Sequence, residues 1–218
     1  MAVRLFLDTA ERDVAVDLLG TGLFEGLTTN PTILQRAGLG VAAAADVHRW
    51  AVDAGAREVF FQSWGREVDV LVERGLRLRE LGDEVVVKLV ASREGTAACA
   101  RLAARGVRTL LTAVYAPGQA VLAAGAGATY VAPYLGRLDS AGRDGHAEVV
   151  AMHELLRATG SPTEVLVASL RDVASVVRLA RAGVGAFTMA PAVAEAFFTE
   201  QLTATAVTAF EDAVAATS

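Results

Sequence analysis

Eight short apolar runs, rich in β-branched residues and separated by stretches with helical spacing, limit the fold of this chain more than any other feature. They are Val3 to Leu7, Gly26 to Thr29, Val59 to Ser63, Val85 to Val90, Thr109 to Val114, Thr129 to Tyr134, Glu164 to Ser169 and Ala186 to Ala190. Short continuous apolar runs bounded by turn residues are the pattern of strands buried on both faces. In the intervening segments apolar residues recur on one side, as at Val68, Leu71, Val72, Leu76 and Leu78, with arginines and glutamates opposite, so each helix has a face to pack on a sheet. Gly75, Gly106, Gly127 and Gly183 are expected in the loops leading from helix to strand, where a left-handed cap favours glycine. An open, doubly wound sheet uses the same alternation. The strand count favours a closed (β/α)8 barrel.

The chain is 218 residues long and 53% hydrophobic, enough for one large core and a single domain over residues 1–218. After the eighth run, Val193 to Phe198 and Thr203 to Ala216 read as one short and one longer helix. The segment 193–218 is expected to be a helical extension used in subunit contacts. The 20 basic and 25 acidic residues give a net charge of -5 with no long basic run, which argues against nucleic acid as a partner. Charges break every apolar stretch before the roughly 20 residues a spanning helix needs, so no membrane partner is expected. The opening Met-Ala-Val-Arg-Leu-Phe-Leu-Asp is too short an apolar stretch for a signal peptide. One cysteine, Cys99, cannot close an internal disulfide and reads as the buried face of a helix. The expected compartment is the cytoplasm.

Barrel enzymes place their chemistry at the C-terminal ends of the strands. Polar residues collect there: Asp8; Thr28, Thr29 and Asn30; Gln62 and Ser63; Lys88; Thr112 and Tyr115; Tyr134 and Arg137; Ser169; and Thr188. Lys88, the only lysine, stands in Val-Val-Val-Lys-Leu-Val. An ammonium there loses hydration, its pKa falls, and the free amine becomes a nucleophile able to form an imine. A snorkelling or carboxylate-paired lysine is the ordinary alternative. Arginine fills every other basic position, however, and arginine cannot form an imine because it stays protonated. Tyr134 is placed to exchange a proton with a substrate, directly or through a water held by Gln62 and Thr112. Taken alone, it is equally a half-buried ring with a satisfied hydroxyl.

Asp8 is a candidate to hold a substrate hydroxyl or support Lys88, or else a helix cap. In Thr28-Thr29-Asn30-Pro31 the extended residue before proline presents Asn30 to the barrel mouth, with Thr29 beside it as a second candidate substrate contact and plain turn chemistry as the alternative. Arg137 and Ser169 suit a sugar phosphate, although Arg137 also has Asp139 nearby in sequence. His48 and His153 fall in helical segments and His146 in a glycine-rich loop, without metal-site spacing. No nucleotide-type glycine loop follows the first strand. Neither a metal nor a cofactor is expected.

Phe-Leu-Asp-Thr-Ala at 6 to 10, Gly-Leu-Thr-Thr-Asn-Pro-Thr at 26 to 32, Val-Val-Lys at 86 to 88, Thr-Ala-Val-Tyr at 112 to 115, Tyr-Val-Ala-Pro-Tyr-Leu-Gly-Arg-Leu-Asp at 130 to 139 and Val-Ala-Ser at 167 to 169 occur in this order. Together they resemble the small transaldolase and fructose-6-phosphate aldolase family. The resemblance implies a (β/α)8 barrel in which Lys88 forms the imine without a metal and handles dihydroxyacetone as donor, with Asp8 and Asn30 orienting hydroxyls. It also implies phosphorylated ketose and aldehyde substrates and a homo-oligomer, a pentamer or decamer, with the terminal helix reaching a neighbour. Within the family, transaldolases tend to carry glutamate at the position of Gln62 and phenylalanine at that of Tyr134. The aldolase branch has glutamine and tyrosine, as here.

Three departures stand out: Leu89-Val90 lacks the proline that usually follows the nucleophile, Ser63 and Trp64 replace the usual wording after strand three, and Leu135-Gly136-Arg137 follows the transaldolase wording. The leading expectation is an aldolase that reversibly cleaves fructose 6-phosphate or a similar ketose. A transaldolase of pentose phosphate metabolism and a non-catalytic sugar-phosphate-binding barrel are the alternatives.

Overall fold

A computed structural model describes residues 3–217. All eight runs are strands: β1 (Arg4–Asp8), β2 (Phe24–Thr28), β3 (Glu58–Gln62), β4 (Val85–Val90), β5 (Thr109–Val114), β6 (Tyr130–Pro133), β7 (Glu164–Val167) and β8 (Ala186–Met189). They are parallel and close into a barrel in chain order, β8 pairing with β1. The open-sheet alternative is excluded by that closure.

Alternation along each strand divides the core in two. Phe6, Phe60, Val86, Leu110, Tyr130, Ala132, Leu166 and Ala186 fill the barrel interior. Leu7, Leu27, Val59, Phe61, Val87, Leu89, Leu111 and Phe187 point outward and pack under the helices. Phe6 and Phe60 meet edge to face at 5.4 Å, a favoured aromatic geometry.

The outer ring comprises α1 (Arg12–Gly20), α3 (Ala44–Asp53), α4 (Val68–Arg79), α5 (Arg93–Ala103), α6 (Pro117–Gly125), α8 (Gly145–Ala158) and α9 (Val173–Arg181). Two additional helices, α2 (Pro31–Arg36) and α7 (Leu135–Ser140), follow β2 and β6 directly, and α10 (Pro191–Glu195) and α11 (Gln201–Ala215) complete the chain. No described helix is long and apolar enough to cross a membrane.

Gly106, Gly127 and Gly183 have positive φ after α5, α6 and α9, the conformation expected of loop glycines. Gly75 corrects that reading, because it lies inside α4, where an added Cβ would come 2.7 Å from Leu102 on α5. It allows two helices to approach closely rather than ending one. His146 is likewise the second residue of α8 and not a loop residue.

The lower end of the barrel is closed by charge. Glu58 takes Arg4 at 3.2 Å and Arg108 at 2.6 Å, and accepts a 2.8 Å hydrogen bond from the Tyr130 hydroxyl. Glu164 takes the other arm of Arg4 at 3.0 Å. The Arg4 guanidinium lies over the rings of Phe6 and Tyr130. A carboxylate in this position needs such partners, since an unpaired buried charge is costly.

Candidate active site

Lys88 alternates with inward-facing Val86 on β4, so it opens onto the upper interior. It is 5% exposed. Burial lowers its pKa below the ordinary lysine value, and the negative charge of Asp8 partly opposes that shift. Leu89 and Val90, the pair that lacks the expected proline, continue β4, with Val90 opposite Thr112 and the Ala91 amide bonded to the Thr112 carbonyl. With no proline at either position, both amides are free to join the ladder.

The same parity brings Asp8, Thr28, Gln62, Thr112 and Thr188 to the inner face. Thr28 donates to Asp8 at 2.6 Å and shares a 2.6 Å bond with Thr188. Because the Thr28 proton goes to the carboxylate, Thr188 must donate to Thr28. This relay positions Asp8, which is not a helix cap, since Glu11 precedes α1. Thr29 points the other way. It is fully buried with its hydroxyl on the Phe60 carbonyl at 2.8 Å, outside the cleft lining.

Thr112 and Tyr134 share a 2.7 Å hydrogen bond. The β5–β6 pairing shifts register between Leu111 and Val114, where Ala113 has φ of 58°. Such a bulge re-aims neighbouring side chains. Tyr134 lies just beyond β6, at the start of α7, and bridges to Ala168. Burial raises its pKa, with the Thr112 hydrogen bond and Arg137 opposing and Asp8 reinforcing, so the hydroxyl keeps its proton at neutral pH. Tyr115 meets the Tyr134 ring edge-on at 5.8 Å, and the Arg137 guanidinium lies 4.9 Å from that ring's centroid. Arg137 is thus held by stacking, and Asp139 instead accepts from the Gly145 amide.

Ser169 lies two residues beyond β7, in a left-handed conformation with φ of 60°. Its carbonyl accepts from the Gly136 amide at 2.9 Å, and a Cβ on Gly136 would sit 2.5 Å from that oxygen. Glycine between Leu135 and Arg137 therefore lets α7 seat against the end of β7. Asn30 combines both of its readings: it caps α2, accepting from the Ile33 amide at 3.0 Å, and it borders the cleft.

These side chains meet in one cleft of about 180 Å³, lined by Asp8, Asn30, Thr32, Ile33, Arg36, Lys88, Tyr134, Arg137, Ala168 and Ser169. Gln62 is the registered neighbour of Lys88 on β3 but borders a smaller adjoining cleft with Asn30 and Trp64. Sequence reasoning missed Arg36 and the Thr28–Thr188 relay. Thr28 could have been chosen over Thr29 by counting parity, whereas Arg36 has no such signal.

The transaldolase/fructose-6-phosphate aldolase family matches residues 5–218. A probable transaldolase of Caulobacter vibrioides (strain NA1000 / CB15N) is 34% identical over 205 residues, covering 92% of this chain and 91% of that one. A probable transaldolase of Symbiobacterium thermophilum is 33% identical over 208 residues, covering 95% of each. Among solved structures, a lactate oxidase of Pediococcus acidilactici aligns with a TM-score of 0.61 at 11% identity over 86% of this chain. A mandelate oxidase aligns with a TM-score of 0.57 at 16% identity over 88%. The chain spans 62% and 64% of those two structures, and they share the barrel alone. Matched along nearly its whole length by both the family and these relatives, the chain belongs to the transaldolase/fructose-6-phosphate aldolase family.

Proposed function

We propose that the protein is a class I aldolase that cleaves fructose 6-phosphate or a similar ketose through an imine at Lys88. The observation that carries this reading is a sole lysine, 5% exposed, lining the same cleft as the Tyr134 hydroxyl. The neutral amine adds to the ketose carbonyl, and loss of water gives the imine. As the C4 hydroxyl gives up its proton to a water beside Tyr134, the C3–C4 bond breaks, which releases the aldehyde phosphate and leaves a dihydroxyacetone enamine on Lys88. Protonation of the enamine and hydrolysis then free dihydroxyacetone. Tyr134, hydrogen-bonded to Thr112 and assisted by Gln62, carries the proton. Asp8 and Asn30 orient hydroxyls, with Thr29 supporting them from behind, and Arg137 and Ser169 take the phosphate. No cofactor is required.

A second reading is a transaldolase, in which another aldehyde captures the enamine before a proton does. The names of the relatives and the Leu135-Gly136-Arg137 wording favour it. Assaying fructose 6-phosphate with and without erythrose 4-phosphate separates the two, and turnover only with the acceptor overturns the lyase. Borohydride trapping of the substrate followed by peptide mass analysis tests both, with an adduct expected at Lys88 and none in Lys88→Arg. An unlabelled Lys88 in the wild type defeats both readings.

A further inference from the structure

Arg36 lines the cleft around Lys88 but belongs to none of the roles above. It ends α2, the short helix after β2, while Arg137 sits on α7, the short helix after β6. In a closed ring of eight strands in chain order, β2 and β6 are four places apart and diametrically opposed. The two arginines therefore enter one cleft of about 180 Å³ from opposite walls. Both short helices follow their strands directly, so each guanidinium is hung from the barrel rim rather than from a long loop.

Placement together with charge separates these two arginines from the others: both line the cleft, and neither is paired with a carboxylate there. Arg4, Arg49, Arg57, Arg77, Arg79, Arg101, Arg108 and Arg143 each have a carboxylate in contact. Among the described residues no carboxylate is in salt-bridge contact with Arg36 or Arg137. The cleft lining holds Arg36, Arg137 and Lys88 against one carboxylate, Asp8, in a chain whose net charge is -5. Asp8 is engaged by Thr28 at the inner end. Lys88 is biased toward its neutral form, so the mouth is left with two uncompensated guanidiniums. A phosphate monoester carries close to two negative charges at neutral pH and offers three acceptor oxygens, and a guanidinium fork can take two of them at once.

We propose that Arg36 is a specificity-determining residue that, with Arg137, clamps the terminal phosphate of the substrate across the barrel mouth. This rests on the phosphorylated-substrate reading above and adds a second wall to it. A phosphate gripped from both sides covers the opening above Lys88, so the clamp discriminates by charge and excludes solvent from the imine together. A carboxylate or an unphosphorylated aldehyde engages one wall at most.

The test compares D-glyceraldehyde 3-phosphate with D-glyceraldehyde as acceptors for dihydroxyacetone, in wild type and in Arg36→Gln, Arg36→Lys and Arg137→Gln. Arg36→Gln is expected to raise KM for the phosphorylated aldehyde at least tenfold with kcat changed less than threefold. The kcat/KM preference for phosphorylated over unphosphorylated acceptor should fall at least fivefold, with partial recovery in Arg36→Lys. Equal effects on the two aldehydes, or no effect on either, overturn the clamp. Calorimetric titration with inorganic phosphate, read without turnover, keeps the two proposals distinguishable. Phosphate binding that weakens in Arg36→Gln supports the clamp even if Lys88 traps no substrate, and binding that is undiminished overturns it even if the aldolase reaction proceeds.

Discussion

An amine in the wall of a barrel costs stability whatever it does for chemistry. Burial holds the Lys88 pKa below its ordinary value of 10.5, with Asp8 opposing. Between the folded and unfolded values the unfolded chain binds a proton that the folded chain does not, so this group makes stability rise with pH through that window. Lys88→Met is therefore expected to be inactive yet more stable at neutral pH, by about 1 kcal/mol. The gain should shrink as pH approaches 10.5, and denaturant titrations at several pH values check it. A gain that grows with pH contradicts the assignment. The burial of Lys88 in the cleft was legible because composition isolates it and the strand around it is apolar. Thr29 was placed among substrate contacts because it follows a strand, but side-chain parity turns it into the wall and turns Thr28 inward. Arg36 was not legible, because nothing in Thr-Ile-Leu-Gln-Arg says which way a one-and-a-half-turn helix leans until the strand below it is placed.

The eight strands were readable because buried parallel strands carry nearly continuous apolar runs, whereas closure was favoured only by their number and is seen in the pairing of β8 with β1. The short elements at the rim were less readable. Tyr134 and Ser169 were assigned to strands, yet the ladders end at Pro133 and Val167, where the chain turns to seat α7 and present Arg137. Gly75 carried the same letter as the loop glycines but serves contact between α4 and α5, a distinction that propensity does not encode. The seating of α7 is testable at Gly136. Alanine there brings a Cβ to 2.5 Å from the Ser169 carbonyl oxygen and 2.7 Å from Arg171 Nε, which forces the helix outward. Gly136→Ala is expected to destabilise the protein by about 1–3 kcal/mol. In the fraction that folds, KM for the phosphorylated aldehyde should rise. Unchanged stability and KM would show that α7 is not anchored there.

On the scale of the whole molecule, α11 stands apart. It buries none of its side chains, and Leu202 and Phe210 are 78% and 70% exposed. An apolar helix left in this state is a surface awaiting a partner, and we propose that a second copy of this chain covers it. Deleting residues 200–218 should change barrel stability by less than about 1 kcal/mol, the usual size of a surface effect, and reduce the sedimenting mass to that of a smaller assembly. A deletion variant that sediments as the same oligomer rules out α11 as the contact.

The floor formed by Arg4, Glu58, Arg108, Tyr130 and Glu164 makes the barrel a vessel with one door. Any reagent that reaches Lys88 must pass the rim, and whatever is split off must leave by the way it came. On the imine chemistry proposed above, entry and exit share one opening, so the fragment released first and whatever follows it to Lys88 use the same passage.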